Sequence, residues 1–181
     1  MNHGTENDAI NLAHQKHSGQ VYGDFSYIKH LRDVSLQLGS RGYHSDLWKV
    51  VAYLHDLIED TDVTYEEIEV QFGTEAAMMV AAVTTPSALG NRKARLKVLI
   101  ENLTGYPAAL PLKLADRIAN VQHCWFSRNS KLFMYHREYP RFRGGLRPLS
   151  VDREEAKELE MWDKLDEMMG WWEPAKGGEA P

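Results

Sequence analysis

Apolar residues recur at intervals of three and four along almost the whole chain, and this spacing constrains the fold more than any other feature of the sequence. Segments with this spacing predict helices over residues 7–17, 27–39, 45–60, 64–73, 74–85, 87–103, 106–126, 130–146 and 151–172. The alternation of apolar and polar residues that is typical of strands does not extend over any useful length. We therefore predict an all-α protein.

Several helix ends carry signals in the sequence. Asn7 or Asp8 could cap the first helix, because both side chains accept hydrogen bonds from free backbone N–H groups. Thr64, with Glu67 three residues later, has the spacing of a reciprocal capping box. Residues 18–26 carry two glycines and predict a loop between the first two helices.

The length of 181 residues suits one domain with a substantial core, and no linker-like segment divides the chain. We predict a single domain over residues 1–172, whose C-terminal helices occupy 130–172, followed by a mobile tail over 173–181. We expect Trp171 and Trp172 to form an exposed aromatic pair before this tail. A homo-oligomer that uses this pair is an open alternative to a monomer.

Charge and cysteine content exclude several kinds of partner. The net charge of -5 disfavours a general nucleic-acid surface, which needs a basic stripe, and also disfavours a polybasic membrane anchor. No apolar run approaches the roughly 20 residues of a membrane span, and residues 1–20 lack the apolar core of a signal peptide. The single cysteine, Cys124, cannot form an intramolecular disulfide. These features favour a cytoplasmic protein without nucleic-acid or membrane partners.

The stretch YLHDLIEDT, residues 53–61, places titratable side chains on a helix that is otherwise apolar. His55 and Asp56 are adjacent, and Glu59 and Asp60 follow them one helical turn later. Burying ionised carboxylates together costs free energy unless a cation compensates for their charge. The pattern therefore predicts a metal site with His55 and Asp56 as ligands and with Glu59 and Asp60 beside it.

Two ligands from one helix are too few for a metal site, so other helices must supply the rest. His30 lies on the preceding apolar helix, and Asp116 lies among the apolar residues of PLKLADRIANV. A lone buried histidine is more often simply hydrogen-bonded, but the ordered set of His30, then His55 and Asp56, then Asp116 favours a shared ion. Nitrogen and carboxylate ligands without thiolates suit Mn²⁺, Fe²⁺ or catalytic Zn²⁺.

These residues occur in an order and in local contexts that resemble the HD-domain metal-dependent phosphohydrolases. Within that superfamily the chain is most similar to the hydrolase domain of the RelA/SpoT type, including its small stand-alone (Mesh1-like) alarmone hydrolases. The resemblance covers residues 7–125. It is carried by the stretches AHQKHSGQ (13–20), YIKHLRDV (27–34), AYLHDLIEDT (52–61), FGTEAAMMVAAVT (72–84), NRKAR (91–95) and LKLADRIANV (112–121).

The resemblance implies an HD-type helical bundle with a metal site in its core. The implied enzyme removes pyrophosphate from the 3′ position of guanosine tetra- and pentaphosphate, the nucleotides of the stringent response. Glu59 and Asp60 fall at the catalytic positions of the family. The implied ion is Mn²⁺, with Fe²⁺, Zn²⁺ and Co²⁺ as alternatives, and its implied ligands are His30, His55, Asp56 and Asp116. Positions that match the substrate side of the pocket are Arg92, Arg95, Arg117 and Asn120.

Phosphate cleavage also needs positive charge near the non-bridging oxygens. Arg92, Arg95 and Lys113 are candidates for this role, because all three lie on predicted helices close to the motifs above. Each of these residues equally fits an exposed helix face in contact with water.

The segment MYHREYPRFRGGLRP, residues 134–148, is both aromatic and basic. It could cover the pocket, with Tyr135 against a base or a phosphate. The alternative is a packing helix with a solvated basic face. We expect Pro140 to mark a break or a junction of two turns in this segment, because proline lacks the N–H that a helix interior uses.

The sequence departs from the family pattern mainly around the loop that precedes the second helix. Val21 and Tyr22 stand where the family has basic residues that contact the base, and Ser26 replaces a proline. Ala119 and Gln122 replace a histidine and an arginine of the family pattern. Tyr22 could stack on a base in place of a guanidinium group, or it could be an ordinary loop aromatic.

Three functions are therefore open. The first is the alarmone pyrophosphohydrolase, and the second is a phosphohydrolase of the same kind that acts on another nucleotide or on a phosphorylated cofactor. The third is a non-catalytic regulator that binds a metal or a nucleotide, which would be expected to have lost a ligand or the Glu59–Asp60 pair.

Overall fold

The computed structural model describes residues 3–152 and 155–170, and most of these residues are helical. In chain order the helices are α1 (Glu6–Lys16), α2 (Ile28–Gly39), α3 (Asp46–Leu54), α4 (Leu57–Asp60), α5 (Tyr65–Phe72), α6 (Thr74–Val83), α7 (Arg92–Gly105), α8 (Leu110–Phe126), α9 (Lys131–Asp152) and α10 (Ala156–Met169). Short 3₁₀ turns at Ser87–Leu89 and Pro107–Ala109 precede α7 and α8. The predicted all-α class is confirmed.

The loop predicted over 18–26 contains a small antiparallel hairpin. β1 (Val21–Tyr22) pairs with β2 (Phe25–Ser26), each residue of one strand facing one residue of the other in reverse order. Gly23 turns the chain at a φ of 62°, and a Cβ at this position would lie 2.8 Å from Nε2 of His123. Periodicity could not reveal this hairpin, because strands of two residues are too short for alternation to appear.

Two helix starts test the predicted caps. Thr64 and Glu67 form the predicted capping box at the start of α5. At α1 the cap is Thr5, whose hydroxyl accepts a hydrogen bond from the N–H of Asp8 while the Asp8 carboxylate accepts from the N–H of Thr5. The prediction of a cap at Asn7 or Asp8 is therefore wrong, because α1 begins before both residues.

The helix α8 lies at the centre of the core and positions much of the site. Its residues Leu112, Ile118 and Val121 are fully buried, and it packs against α2, α3, α6, α9 and α10. Asp116 and Arg117 lie on the same helix and are only 6% and 5% exposed. Charged groups buried on a core helix need partners or a ligand to offset their lost hydration.

The helix predicted over 45–60 is interrupted at His55 and Asp56, which lie between α3 and α4. The two residues keep right-handed backbone angles, with φ and ψ of -59° and -28° at His55 and of -100° and -1° at Asp56. The interruption falls on the two residues that the sequence singles out as ligands.

The helix α9 passes through Pro140 and Pro148, so the predicted break at Pro140 is wrong. Tyr139 and Phe142, which flank Pro140, are 1% and 0% exposed. Their burial in the core offsets the backbone hydrogen bond that proline cannot donate.

The helix predicted over 151–172 begins only at Ala156 in the structure. Trp171, Trp172 and the tail predicted over 173–181 lie outside the described residues. The prediction of a single domain stays a prediction. No helix in the described ranges has both the length and the apolar character needed to cross a membrane.

Candidate metal centre and active site

The junction between α3 and α4 fixes the orientation of the His55 ring. Nδ1 of His55 lies 2.9 Å from the carbonyl oxygen of Ala52, one turn earlier. Because a carbonyl oxygen only accepts, Nδ1 carries a proton, and in the neutral ring Nε2 presents its lone pair. A histidine held in this way is oriented as metal-binding histidines are.

Side chains from α2, α8 and the α3–α4 junction itself converge around that lone pair. Nε2 of His55 lies 3.0 Å from Oδ2 of Asp56 and 3.9 Å from Oδ1 of Asp116. Nε2 of His30, on α2, lies 3.4 Å and 3.3 Å from the same two oxygens. The structure thus brings together all four predicted ligands, and we call His30, His55, Asp56 and Asp116 the His–Asp cluster.

The donor set and its spacing fit a single divalent ion. Ligand atoms of His30, His55 and Asp56 all lie within 4.8 Å of one another. Atoms that each bind one ion at about 2.0–2.2 Å are naturally separated by such short distances. Within the described residues, Nε2 of His55 is buried without a hydrogen-bond partner, although an Asp56 oxygen lies beside it. A buried ring nitrogen without a partner is best accounted for by a bound cation.

The charges of the cluster also call for a cation. Burial alone would raise the pKa of Asp56, but His55 and His30 hold it well below its usual range. Burial would likewise raise the pKa of Asp116, but Lys113 and His30 lower it. Burial would lower the pKa of His30, whereas Asp116 and Asp56 raise it to about 9. In the metal-free protein a proton on His30 therefore supplies the positive charge that the two carboxylates require.

Tyr27 is a member of the site that the sequence did not single out. Its hydroxyl donates to Oδ2 of Asp56 at 2.6 Å and lies 3.2 Å from Oδ2 of Asp60. Burial and the charge of Asp56 raise the pKa of Tyr27, so the hydroxyl stays protonated and remains a donor. Its place one turn before His30, in YIKH, is the only sequence signal for this role.

Thr85 and Arg95, which lie in other parts of the fold, hold the Glu59 carboxylate in place. Its Oε2 accepts hydrogen bonds from the backbone N–H and the hydroxyl of Thr85 at 2.9 Å and 3.1 Å. Its Oε1 forms an ion pair with the guanidinium group of Arg95, whose Nε also donates to the Thr85 hydroxyl at 3.1 Å. Thr85 was not predicted, because nothing in its local sequence marks it as polar and buried.

A cavity of about 290 Å³ opens above the cluster. Most of the predicted site residues line this cavity, and they include both acidic and basic side chains. Those that do are Asp56, Glu59, Asp60, Arg92, Arg95, Lys113, Asp116, Arg117, Asn120 and Tyr135. Tyr27, Thr85, Lys131 and Glu138 line the same cavity without having been predicted.

Tyr22 does not line this cavity but packs behind it. Its ring lies 4.8 Å from the His30 ring and 4.0 Å from the His123 ring. Its hydroxyl donates to Oδ1 of Asn120 at 3.1 Å. This placement agrees with a packing aromatic of the hairpin better than with a ring that stacks on a bound base.

Two further polar side chains on α8 surround Asp116. Lys113 donates to Oδ2 of Asp116 at 2.7 Å, and Asn120 donates to its backbone oxygen at 3.1 Å. Asn120 also contacts Oδ1 of Asp116. These contacts fix the Asp116 carboxylate so that Oδ1 faces the two histidines.

Glu138 is a further residue that sequence reasoning missed. It lies on α9, one turn after Tyr135, and contacts both Arg92 and Arg117. An acid in a segment notable for its arginines gives no sequence signal of its own, because its partners come from α7 and α8.

The chain is similar to proteins that are named as hydrolases. No protein-family model matches the chain. A guanosine-3′,5′-bis(diphosphate) 3′-pyrophosphohydrolase of Aquifex aeolicus is 35% identical over 127 residues, which are 68% of this chain and 18% of that protein. The protein of Danio rerio with the same activity in its name, MESH1, is 34% identical over 120 residues, which are 64% of this chain and 66% of that protein. The chain therefore spans only part of the length of these relatives.

A solved structure, described as a metazoan orthologue of SpoT that hydrolyses ppGpp and plays a role in starvation responses, has the same fold. Its TM-score is 0.73, and the superposition covers 92% of this chain and 96% of that one. The sequence identity is 23%, so this likeness concerns the fold.

Proposed function

This chain belongs to the RelA/SpoT type of HD-domain hydrolases, and on that premise we propose that it is a metal-dependent 3′-pyrophosphohydrolase of guanosine 3′,5′-bis(diphosphate). In the proposed reaction, water breaks the bond between the 3′ oxygen of the ribose and its phosphorus. The products are pyrophosphate and guanosine 5′-diphosphate. The pentaphosphate would react in the same way.

One observation carries this proposal. The nitrogen and carboxylate ligand atoms of the His–Asp cluster converge at 3.0–3.9 Å below a cavity whose wall combines two further acids with several cations. Acids beside an ion activate water, while cations attract phosphate. A non-catalytic binder needs cations that attract phosphate, but it does not need acids that activate water. This chain keeps the acids, because Glu59 and Asp60 both line the cavity.

We propose Mn²⁺ as the ion, held by His30, His55, Asp56 and Asp116, with Fe²⁺, Zn²⁺ and Co²⁺ as alternatives. The bound ion would lower the pKa of a water ligand and reduce the negative charge on the scissile phosphate. Tyr27 would keep the Asp56 carboxylate in its ligating orientation through its 2.6 Å hydrogen bond.

Glu59 and Asp60 would share the handling of water. Asp60 lines the cavity beside Asp56 and would accept a proton from the attacking water. In the metal-free protein, burial and the charge of Asp56 raise the pKa of Asp60. Glu59, held by Thr85 and Arg95, has the fixed position of a group that orients that water.

The cations and polar groups of the wall would hold the phosphates. Arg95 pairs directly with Glu59, and Lys113 pairs directly with Asp116 of the His–Asp cluster. Arg92, Arg117 and Asn120 would contact other parts of the nucleotide. The ring of Tyr135, which lines the cavity, would offer a flat apolar face to a base or ribose.

A hydrolysis screen tests the proposal. The purified chain is incubated with Mn²⁺ and a panel of nucleotides, and the products are identified by ion chromatography. We expect pyrophosphate and guanosine 5′-diphosphate from the tetraphosphate, and no products after the metal is removed with a chelator. A panel without any metal-dependent turnover would overturn the assignment as an enzyme.

One observation favours a second candidate, a hydrolase of the same kind that acts on another nucleotide or on a phosphorylated cofactor. The hairpin that replaces the basic base-contacting loop of the family turns Tyr22 toward Asn120 and His30 instead of into the cavity. Turnover of other nucleotides but not of the alarmones in the same screen would favour this candidate. In either case we propose a cytoplasmic enzyme with a small phosphorylated partner.

A further inference from the structure

Glu138 on α9 connects two arginines of the cavity wall that come from other helices. Its Oε2 accepts a hydrogen bond from Nε of Arg92 on α7 at 2.7 Å, and its Oε1 accepts from Nη2 of Arg117 on α8 at 2.5 Å. The side chains of Glu138 and Arg117 are only 11% and 6% exposed, so their ion pair lies largely out of water. Arg92 is 46% exposed, so its ion pair with Glu138 lies at the edge of the cavity wall. Burial alone would raise the pKa of Glu138, but Arg117 and Arg92 lower it, so the carboxylate is ionised.

Arg117 has hydrogen-bonding capacity that the described protein does not use. Its side chain is 6% exposed, and its Nη1 is buried without a hydrogen-bond partner among the described residues. The rings of Tyr135 and Phe142 hold the guanidinium group, with centroids 4.9 Å and 4.1 Å from Cζ. An unpaired buried donor costs about 1–3 kcal/mol, and a ligand with acceptor oxygens would remove that cost. Arginine is suited to this role because its planar fork matches phosphate oxygens.

We propose that Arg92 and Arg117 form a subsite for the phosphates that are not cleaved, and that Glu138 is a specificity-determining residue which occupies this subsite until such a phosphate displaces it. This inference rests on the proposed function, which defines the phosphates that stay on the nucleoside. The scissile 3′-diphosphate must reach the His–Asp cluster. The group left for the subsite is therefore the 5′-diphosphate.

Glu138 makes binding at this subsite depend on the charge of the ligand. A diphosphate carries more negative charge than one carboxylate and can engage both guanidinium groups, so it can replace Glu138. A neutral 5′-hydroxyl cannot. Lys131 lines the cavity, is exposed and forms no ion pair within the described residues, so it would add to the attraction of an anion.

The opposite role for Glu138 makes an opposite prediction. If the carboxylate only holds Arg92 and Arg117 in place for the ligand, its removal loosens both arginines and weakens binding of a 5′-diphosphate. If it competes with the ligand, its removal strengthens that binding. The sign of the change therefore decides between the two roles.

The experiment compares two substrates on the Mn²⁺-loaded protein: guanosine 3′,5′-bis(diphosphate), and guanosine 3′-diphosphate with a free 5′-hydroxyl. Glu138→Gln keeps the shape and removes the charge. We expect it to lower KM for the first substrate about fivefold, because a charged competitor for two charge-assisted hydrogen bonds is lost. The KM for the second substrate should stay unchanged. A rise in KM for the first substrate, or an equal change for both, would overturn the proposal.

Two further variants sharpen the result. Glu138→Asp keeps the charge but shortens the side chain, so we expect KM values close to those of the wild type. If Glu138→Asp changed KM for the first substrate as much as Glu138→Gln does, the shape of the side chain and not its charge would matter. That result would contradict the proposal. Glu160→Gln removes an exposed acid of α10 that does not line the cavity and should change neither KM. Thermal melting of each variant checks that it is folded.

Binding of guanosine 5′-diphosphate separates a failure of this inference from a failure of the proposed function. Isothermal titration of this probe needs no turnover. If the wild type hydrolyses no alarmone but Glu138→Gln binds the probe about fivefold more tightly, the proposed function fails and the role of Glu138 stands. If alarmones are hydrolysed and the probe binds both proteins equally, only the role of Glu138 fails.

Discussion

Two buried polar clusters in this molecule differ in how their polar atoms are satisfied. In the α9–α10 network, which we define as Ser150, Glu158 and Trp162, all three residues are at most 1% exposed. Ser150 Oγ donates to Glu158 at 2.6 Å and accepts from Nε1 of Trp162 at 3.0 Å. In the His–Asp cluster, by contrast, two buried ring nitrogens have no hydrogen-bond partner within the described residues.

The difference separates a structural cluster from a functional one. Burying polar groups is costly in both places. In the α9–α10 network, hydrogen bonds through the Ser150 hydroxyl join Glu158 and Trp162, and so they tie two helices together. In the His–Asp cluster, Nε2 of His55 has no hydrogen-bond partner within the described residues although two carboxylates and His30 lie beside it, and a cation from outside the chain would satisfy it.

The largest effect that tests this contrast is expected from Asp56→Ala. Even a residue that only supports a metal ligand is worth about 10- to 100-fold in metal affinity, so loss of a ligand should cost more. We expect the variant to lose bound metal, measured by elemental analysis, and to fall to background turnover. Asp163→Ala, which removes an exposed carboxylate of α10, is the control and should keep both. Retained metal in Asp56→Ala would mean that this carboxylate is not a ligand.

Glu59→Gln is expected to separate chemistry from metal binding. The amide cannot carry the negative charge that pairs with Arg95 and orients water, so kcat should fall about 10²- to 10⁴-fold. Metal content should stay at the wild-type level, because Glu59 is not part of the His–Asp cluster. The matched control is Glu66→Gln, at an exposed position of α5, which should keep the wild-type kcat. Full activity in Glu59→Gln would remove Glu59 from the mechanism.

Tyr27→Phe is expected to have a smaller effect on the same cluster. It removes the hydroxyl that donates to Asp56 at 2.6 Å while keeping the ring. We expect Mn²⁺ affinity to fall about 10-fold, as for other residues that orient a ligand. Titration of the metal-free protein with Mn²⁺ measures the change, and Tyr65→Phe on α5 serves as control. An unchanged affinity would show that the packing of Asp56 alone fixes its orientation.

Ser150→Ala is expected to affect stability and leave activity unchanged. It removes the acceptor of Trp162 and one donor to Glu158. The free energy of unfolding should fall by about 1–3 kcal/mol, measured by urea denaturation, since buried polar groups lose partners. Metal content and kcat should match those of the wild type and of the exposed control Ser127→Ala. A matching loss of metal would mean that the two clusters are not independent.

Much of the fold and of the site could be predicted from local patterns. Spacings of three and four residues predicted the helices, and Thr64 with Glu67 predicted the start of α5. The break at Pro140 was wrong, because burial of the residues beside it outweighs the missing hydrogen bond. The hairpin at Val21–Ser26 was missed because its strands are too short to show alternation.

Both the sequence and the tertiary structure were needed to explain why the predicted ligands converge. Charged residues on apolar helices marked His30, His55, Asp56 and Asp116 as unusual, since burial without compensation is costly. Their meeting within 4 Å depends on α2, the α3–α4 junction and α8 packing side by side.

The sequence by itself determined the all-α class, the residues with metal-ligand chemistry and the resemblance to a hydrolase family. Only the tertiary structure decided that Tyr27, Thr85 and Glu138 belong to the site, and that Tyr22 packs behind it. The physical reason is that helical periodicity specifies which face of a helix is buried, but not which other helix covers it. Residues whose partners lie on another helix acquire their roles only when the helices pack.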